Sequence, residues 1–114
     1  MPKHLVFVCA VNRFRSVVAE YYLRELQKRG AGFEEIRVSS AGAGLSPEDR
    51  QLLAAHGQHW EKAAFGLPPY PYAIESMKRR RIDISGSRSK ELTRATAERA
   101  DLIVANRILS RPLR

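Results

Sequence analysis

The sequence predicts an α/β fold in which a short sheet of parallel strands carries helices on both faces. Three observations predict it. A strand-length apolar run, His4–Cys9, is followed at once by a segment of helical period, Ser16–Arg29, and a second apolar run of the same kind returns at Ala100–Asn106. Apolar runs without alternation belong to strands covered on both faces, the usual state of a parallel sheet.

The first strand is HLVFVC, rich in Val and Phe and free of turn residues. From about Ser16 to Arg29 the period changes: Ala19, Tyr22, Leu23 and Leu26 fall at i, i+3, i+4 and i+7 and are expected to face the core, with Arg24, Glu25, Lys28 and Arg29 on the other side. Gly30 stops the helix as a residue after a C-terminal cap does. Glu35–Ser40 (EIRVSS) alternates polar with apolar and reads as a second strand, so that strand, helix and strand make one βαβ unit.

Ser46-Pro47-Glu48-Asp49 combines a capping serine, a proline at the first helical position and an acid two residues later, which predicts a helix from Pro47 to about His56. Three prolines in Pro68-Pro69-Tyr70-Pro71 exclude regular structure and predict an ordered loop, followed by a helix from about Tyr72 to Arg81. After a turn at Ser85-Gly86-Ser87 comes a short helix near Arg94–Arg99, and Ala100–Asn106 (ADLIVAN) is the last strand, of buried type.

A chain of 114 residues with 44% hydrophobic residues has room for one core and therefore one domain, residues 1–114. The net charge of +8 points to an anionic partner, but the basic residues are scattered apart from Lys78-Arg79-Arg80-Arg81. That run reads as a solvated helix end, where cations suit the dipole, rather than a nucleic-acid surface. The lone cysteine, Cys9, cannot form an internal disulfide, and the opening apolar run is too short for a secretory core or a membrane span. The expected setting is a reducing cytoplasm, with no membrane association.

The chemistry concentrates where the first strand ends. Cys9 closes a buried strand, Arg15 follows six residues later, and Ser16 opens a helix. Backbone N–H groups in a tight loop entering a helix converge on one point, and the helix dipole favours an anion there. Arg15 would add a planar two-pronged donor for phosphate oxygens, which lysine cannot copy. Positive potential at such a point favours a thiolate, and a thiolate beneath a phosphate can attack phosphorus in line. Ala10, Val11, Asn12, Arg13, Phe14 and Arg15 are thus the candidate binding loop, with Cys9 the candidate nucleophile.

These residues resemble the opening of the low-molecular-weight protein tyrosine phosphatases, whose loop reads C-x-G-N-x-C-R-S-P; Cys9, Asn12, Arg15 and Ser16 match it. Val38-Ser39-Ser40-Ala41-Gly42 resembles that family's SAG element, Arg81-Ile82-Asp83-Ile84-Ser85 with Ser87-Arg88-Ser89 its G-I-D-x-S stretch, and Ala100-Asp101-Leu102-Ile103-Val104 its A-D-L-I-L strand. The resemblance implies a three-layer fold with sheet order 2-1-3. It implies a metal-independent phosphomonoesterase without cofactor, acting on phosphotyrosine or another aryl phosphate of a protein or small molecule. Cys9 would form a phosphocysteine, Arg15 and the loop amides would hold the phosphoryl oxygens, Ser16 would hydrogen-bond the thiolate and Asn12 would brace the loop. Inorganic phosphate or sulfate should bind in the same place.

The departures carry expectations of their own. Val11 stands where the family has glycine, so a positive φ there would strain a β-branched residue or change the loop. Arg13 and Phe14 replace an apolar residue and a second cysteine, and Val17 replaces proline. Without a second thiol, arsenate reduction would need an external one. The family's further strand, its D-P loop with the general acid and its closing helix have no counterpart, and Ala43–Phe65 reads as an insertion. Asp101 should lie at the wrong end of its strand to serve as acid. Asp49, Glu48, Glu61, His56 and His59 lie in the insertion. Trp60, Tyr70 and Tyr72 are candidates for an aromatic wall. The alternatives to a slow enzyme are a degenerate oxyanion-binding module and, more weakly, a phosphocysteine carrier like the IIB subunits of sugar phosphotransferase systems, against which Arg15 speaks. An uncovered last strand would call for the insertion or a homodimer to cover it.

Overall fold

Leu5, Val6, Phe7 and Val8 fill β1 (His4–Cys9), the middle strand of a three-stranded parallel sheet. It pairs with β2 (Arg37–Gly42) on one side and β3 (Leu102–Ala105) on the other, in the order β2-β1-β3. Leu5 lies opposite both Val38 and Leu102, and Cys9 lies opposite Gly42. The computed structural model describes residues 3–30, 32–44, 51, 54–55 and 65–105. Of the helix expected from Pro47 to about His56 they include only Gln51, Ala54 and Ala55, all helical; the rest of it and most of the insertion fall outside them, as do Trp60 and the acids and histidines of that segment.

Alternation along the strands divides the core. Val6, Val8 and Ala41 pack on one face with Leu92 and Ala100, the residues that flank α3 (Arg94–Arg99). Leu5, Phe7 and, by register, Ser40 belong to the opposite face, the one over which α1 (Arg15–Lys28) lies. A second cluster joins Val17 of α1 to Ala73 and Met77 of α2 (Pro71–Lys78) and to Ile82 and Ile84. Each fully buried aliphatic side chain here contributes about 1.5–3 kcal/mol.

The caps follow from local chemistry. Pro71 takes the first position of α2, and Tyr70 before it is extended, as a residue preceding proline must be. That helix stops at Lys78, three residues short of the expected Arg81, because Arg81 adopts a left-handed φ of 61° and the amide of Ile82 donates back to Met77 O. Lys78, Arg79, Arg80 and Arg81 are all exposed. Thr93 caps α3 by accepting from the amide of Thr96. The proline loop is tied down by exchange of backbone bonds between Gly66, Leu67 and Ser89. No described helix is long and apolar enough to cross a membrane.

Three expectations are corrected. The second strand runs Arg37–Gly42 rather than Glu35–Ser40, since pairing extends to Cys9 and so carries β2 through Gly42. The buried residues of α1 are Ser16, Val17 and Glu20, not the stripe Ala19, Tyr22, Leu23 and Leu26. That stripe, with Phe7 and Val18, instead lines an open apolar groove of about 530 Å³. The reason is placement: α1 packs against β2 and β1, and the β3 side of the same face has no cover among the described residues. Accordingly β3, expected to be buried, is exposed along its length, with Leu102 at 59%.

Candidate active site

Cys9 ends β1 with only 4% of its surface exposed, and the chain then turns through Ala10–Phe14 before α1 begins at Arg15. Phe14 occupies the N-cap without any side-chain cap, and the first turn holds no acidic residue, so no side chain of that turn offsets the positive end of the helix. Among the described residues the backbone N–H groups of Val11, Asn12, Arg13 and Phe14 donate to no protein acceptor. Four such donors beside a helix N-terminus have the chemistry that suits an anion.

The loop keeps its shape through Asn12. Its φ is 55°, so the left-handed position falls on asparagine, a residue that tolerates it, and not on Val11, whose φ is negative. The condition for strain at Val11, a positive φ, is therefore not met. The Asn12 side chain, 1% exposed, donates to Ser16 Oγ at 2.8 Å and to Ser40 Oγ at 2.9 Å, and it accepts from the Lys90 amide at 3.0 Å. Ser16 lies inside the first turn of α1, where its Oγ is 2.9 Å from Cys9 Sγ. It is not the N-cap.

Gly42 lets the loop and β2 approach each other. A Cβ at this position would come within 2.9 Å of Ala10 O, closer than real Cβ atoms come, with Val11 C at 3.1 Å. Amides of the following residues, Ala43 and Gly44, donate to Cys9 O and Ala10 O.

Cys9, Ala10, Val11, Phe14, Arg15, Tyr70 and Tyr72 line a cup of about 170 Å³. Its rim is aromatic: Phe14 meets Tyr72 edge-on at 5.1 Å between centroids, and Tyr72 stacks on Tyr70 at 5.5 Å. Arg13 turns to this rim, not into the cup. Its guanidinium carbon lies 4.3 Å from the Tyr70 ring centroid while Nε donates to Pro68 O, so its side chain fastens the proline loop to the binding loop.

The seven lining residues include no carboxylic acid. Asp101 sits at the far end of the sheet, where its carboxylate accepts from the His4 amide. Sequence reasoning passed over Glu20, which is 3% exposed and accepts from Ser40 Oγ. The available signal was its place one turn after Ser16 and one turn before Arg24, its ion-pair partner.

A family model described as low molecular weight phosphotyrosine protein phosphatase matches residues 4–59. Over 104 residues the chain is 33% identical to the probable low molecular weight protein-tyrosine-phosphatase EpsP of Ralstonia solanacearum, a match covering 91% of this chain and 55% of that protein. Two solved structures share the fold. A low molecular weight protein tyrosine phosphatase from T. tengcongensis matches with TM-score 0.67 and 28% identity, over 90% of this chain and 57% of that one. Vibrio vulnificus Wzb, solved in complex with benzylphosphonate, matches with TM-score 0.64 and 26% identity, again over 90% and 57%. The chain thus spans little more than half the length of these relatives.

Proposed function

Since the chain belongs to the low molecular weight phosphotyrosine protein phosphatase family, we propose that it acts as a slow cysteine-dependent phosphomonoesterase on phosphotyrosine or a related aryl phosphate. The observation that carries this reading is one cup lined by Cys9, Ala10, Val11, Phe14 and Arg15, beside which the amides of Val11–Phe14 donate to no acceptor among the described residues. The benzylphosphonate bound by a relative of the same fold has the shape of an aryl phosphate, and the rim of Phe14, Tyr70 and Tyr72 offers faces against which a phenyl ring packs.

In the first step Cys9 Sγ, as thiolate, attacks phosphorus in line, and the bond to the aryl oxygen breaks with its electron pair leaving as phenolate. Arg15 and the loop amides neutralise charge on the three remaining oxygens. Water then attacks the phosphocysteine, the S–P bond breaks, and inorganic phosphate leaves with the thiolate restored. Ser16, 2.9 Å from the sulfur, stabilises that thiolate both as nucleophile and as leaving group.

Protonation of the leaving oxygen, typically worth 10²- to 10⁴-fold, has no carboxylic acid to supply it among the described residues lining the cup. This favours a second reading, an oxyanion-binding module that holds a phosphorylated partner without turnover. Single-turnover kinetics with p-nitrophenyl phosphate separate the two, because its good leaving group needs little acid. A burst of one nitrophenolate per chain supports the enzyme; phosphate binding without any burst supports the module.

A further inference from the structure

Arg81 holds a backbone conformation that costs free energy, and no bond of its side chain offsets that cost. Its φ of 61° is one an arginine adopts against steric resistance, and in the stretch that resembles the family's G-I-D-x-S it takes the place of the glycine. The guanidinium is exposed and makes no hydrogen bond or ion pair among the described residues. Strain kept at a non-glycine position without local benefit points to a use for the side chain.

That side chain lines a cavity of about 420 Å³ at the C-terminal end of α2, together with Ile74, Lys78, Ile82, Asp83 and Ser85. Lys78 and Arg81 bring two cations, and neither is in an ion pair among the described residues. Asp83, the one carboxylate of the lining, has its Oδ1 engaged by the amide and the hydroxyl of Ser85. An excess of positive charge thus lies beside the apolar surface of Ile74 and Ile82, which complements a carboxylate on a short aliphatic stem. Arg79 and Arg80 take no part in the lining, and Arg80 folds back onto Ser76.

The same helix separates this cavity from the cup. Tyr70 and Tyr72, at the N-terminal end of α2, line the cup, and Lys78 closes α2 at the other end. The 8 residues of α2 span about 12 Å, a distance an extended peptide covers in about four residues.

We propose that this cavity binds an acidic side chain, aspartate or glutamate, of the phosphorylated protein, at least about four residues from the phosphotyrosine held in the cup, with Lys78 and Arg81 as its cations. The inference rests on the reading of the cup as an aryl phosphate site. Nucleic acid fits less well, because the lining offers no aromatic face on which a base could stack.

Fluorescence anisotropy with two labelled peptides tests it. Both carry phosphonomethyl-phenylalanine, a phosphotyrosine analogue whose C–P bond withstands hydrolysis; one has aspartates about four to seven residues to either side, the other asparagines at the same places. At low salt the parent should bind the aspartate peptide about fivefold more tightly, the scale of two exposed ion pairs, and about 0.5 M salt should remove the difference. Arg81→Gly, which also relieves the strained φ, and Lys78→Gln should each reduce the preference to about twofold or less while leaving the affinity for inorganic phosphate unchanged. Equal binding of the two peptides by a parent that binds phosphate overturns the proposal and leaves the reading of the cup standing, as does a preference that survives in both variants. A thymidine oligonucleotide that outcompetes the aspartate peptide and loses its hold in the same variants also overturns it. A parent that binds neither peptide nor inorganic phosphate overturns the reading of the cup itself, and the proposal with it.

Discussion

The side-chain oxygen of Asn12 accepts a hydrogen bond from the backbone amide of Lys90 at 3.0 Å, joining two residues 78 positions apart at the base of the cup. The same residue holds the loop's left-handed φ and donates to two serines. Asn12→Ala should therefore cost about 2–4 kcal/mol of unfolding free energy, combining unpaired buried groups with a strained φ. Asn12→Gly loses the same bonds but not the conformation, and urea denaturation should find it less destabilised than the alanine variant.

Cys9→Ser should abolish release of nitrophenolate while inorganic phosphate still binds, as the amides and Arg15 are untouched. Arg15→Lys should weaken phosphate binding about tenfold or more, because a point charge replaces a planar fork. Isothermal titration on both variants checks this, and turnover that survives Cys9→Ser would place the nucleophile elsewhere.

Arg81 holds a φ of 61° in the turn that ends α2, a conformation glycine adopts without cost. Arg81→Gly is expected to raise stability by about 0.5–1 kcal/mol, the left-handed penalty less the added freedom of the unfolded chain. A calorimetric melting temperature that rises shows it; one that falls means the guanidinium side chain contributes more than the backbone loses.

The carboxyl of Asp83 is held below its ordinary value of 3.8, first by the Ser85 hydroxyl, then by the Ser85 amide and the charge of Lys78. Since the folded value is the lower one, the turn's contribution to stability is complete above the unfolded value and fades as pH falls through the folded one. Carboxyl NMR should follow Asp83 titrating below 3.8, with Ser85→Ala returning it upwards.

Exposed β3 and the groove beside it predict self-association of this chain, because parallel strands rarely face water and an open edge recruits a partner. Sedimentation equilibrium should show a mass rising with concentration and Val104→Glu restoring a lower one. A constant 12.9 kDa would remove the homodimer.

The outer two of the three strand segments in the sequence were legible as apolar runs and the middle one as an alternating segment whose bounds lay two residues early, while the order of the sheet came from the family resemblance. The orientation of α1 was not legible. Period 3.6 identifies residues that share a side of a helix, here Ala19, Tyr22, Leu23 and Leu26, but it does not say which side meets the sheet. The side that does carries Ser16 and Glu20, polar residues whose partners lie on other segments. One residue of the loop stayed open for a similar reason. Glycine in a motif suggests positive φ, yet Asn12 takes that conformation and frees position 11 for valine. Ser40 and the Lys90 amide are joined to the loop only by tertiary structure, so no spacing announces them, and for Glu20 the helical spacing from Ser16 and Arg24 was the one signal.

The tie between Asn12 and Lys90 also bears on how the chain reaches its native state. Its closure spans 78 positions, and the entropy lost in closing a loop grows with its length, so the cup is expected to close after the nearer pairing of β1 and β2. On the proposed reading, partly folded molecules would then bind oxyanions poorly, whereas the finished one would bind and be held. Phosphate at a hundredfold excess over its dissociation constant would stabilise the native state by about 2.7 kcal/mol, and cellular phosphate would thereby guard the completed fold against the proteases that attack its precursors.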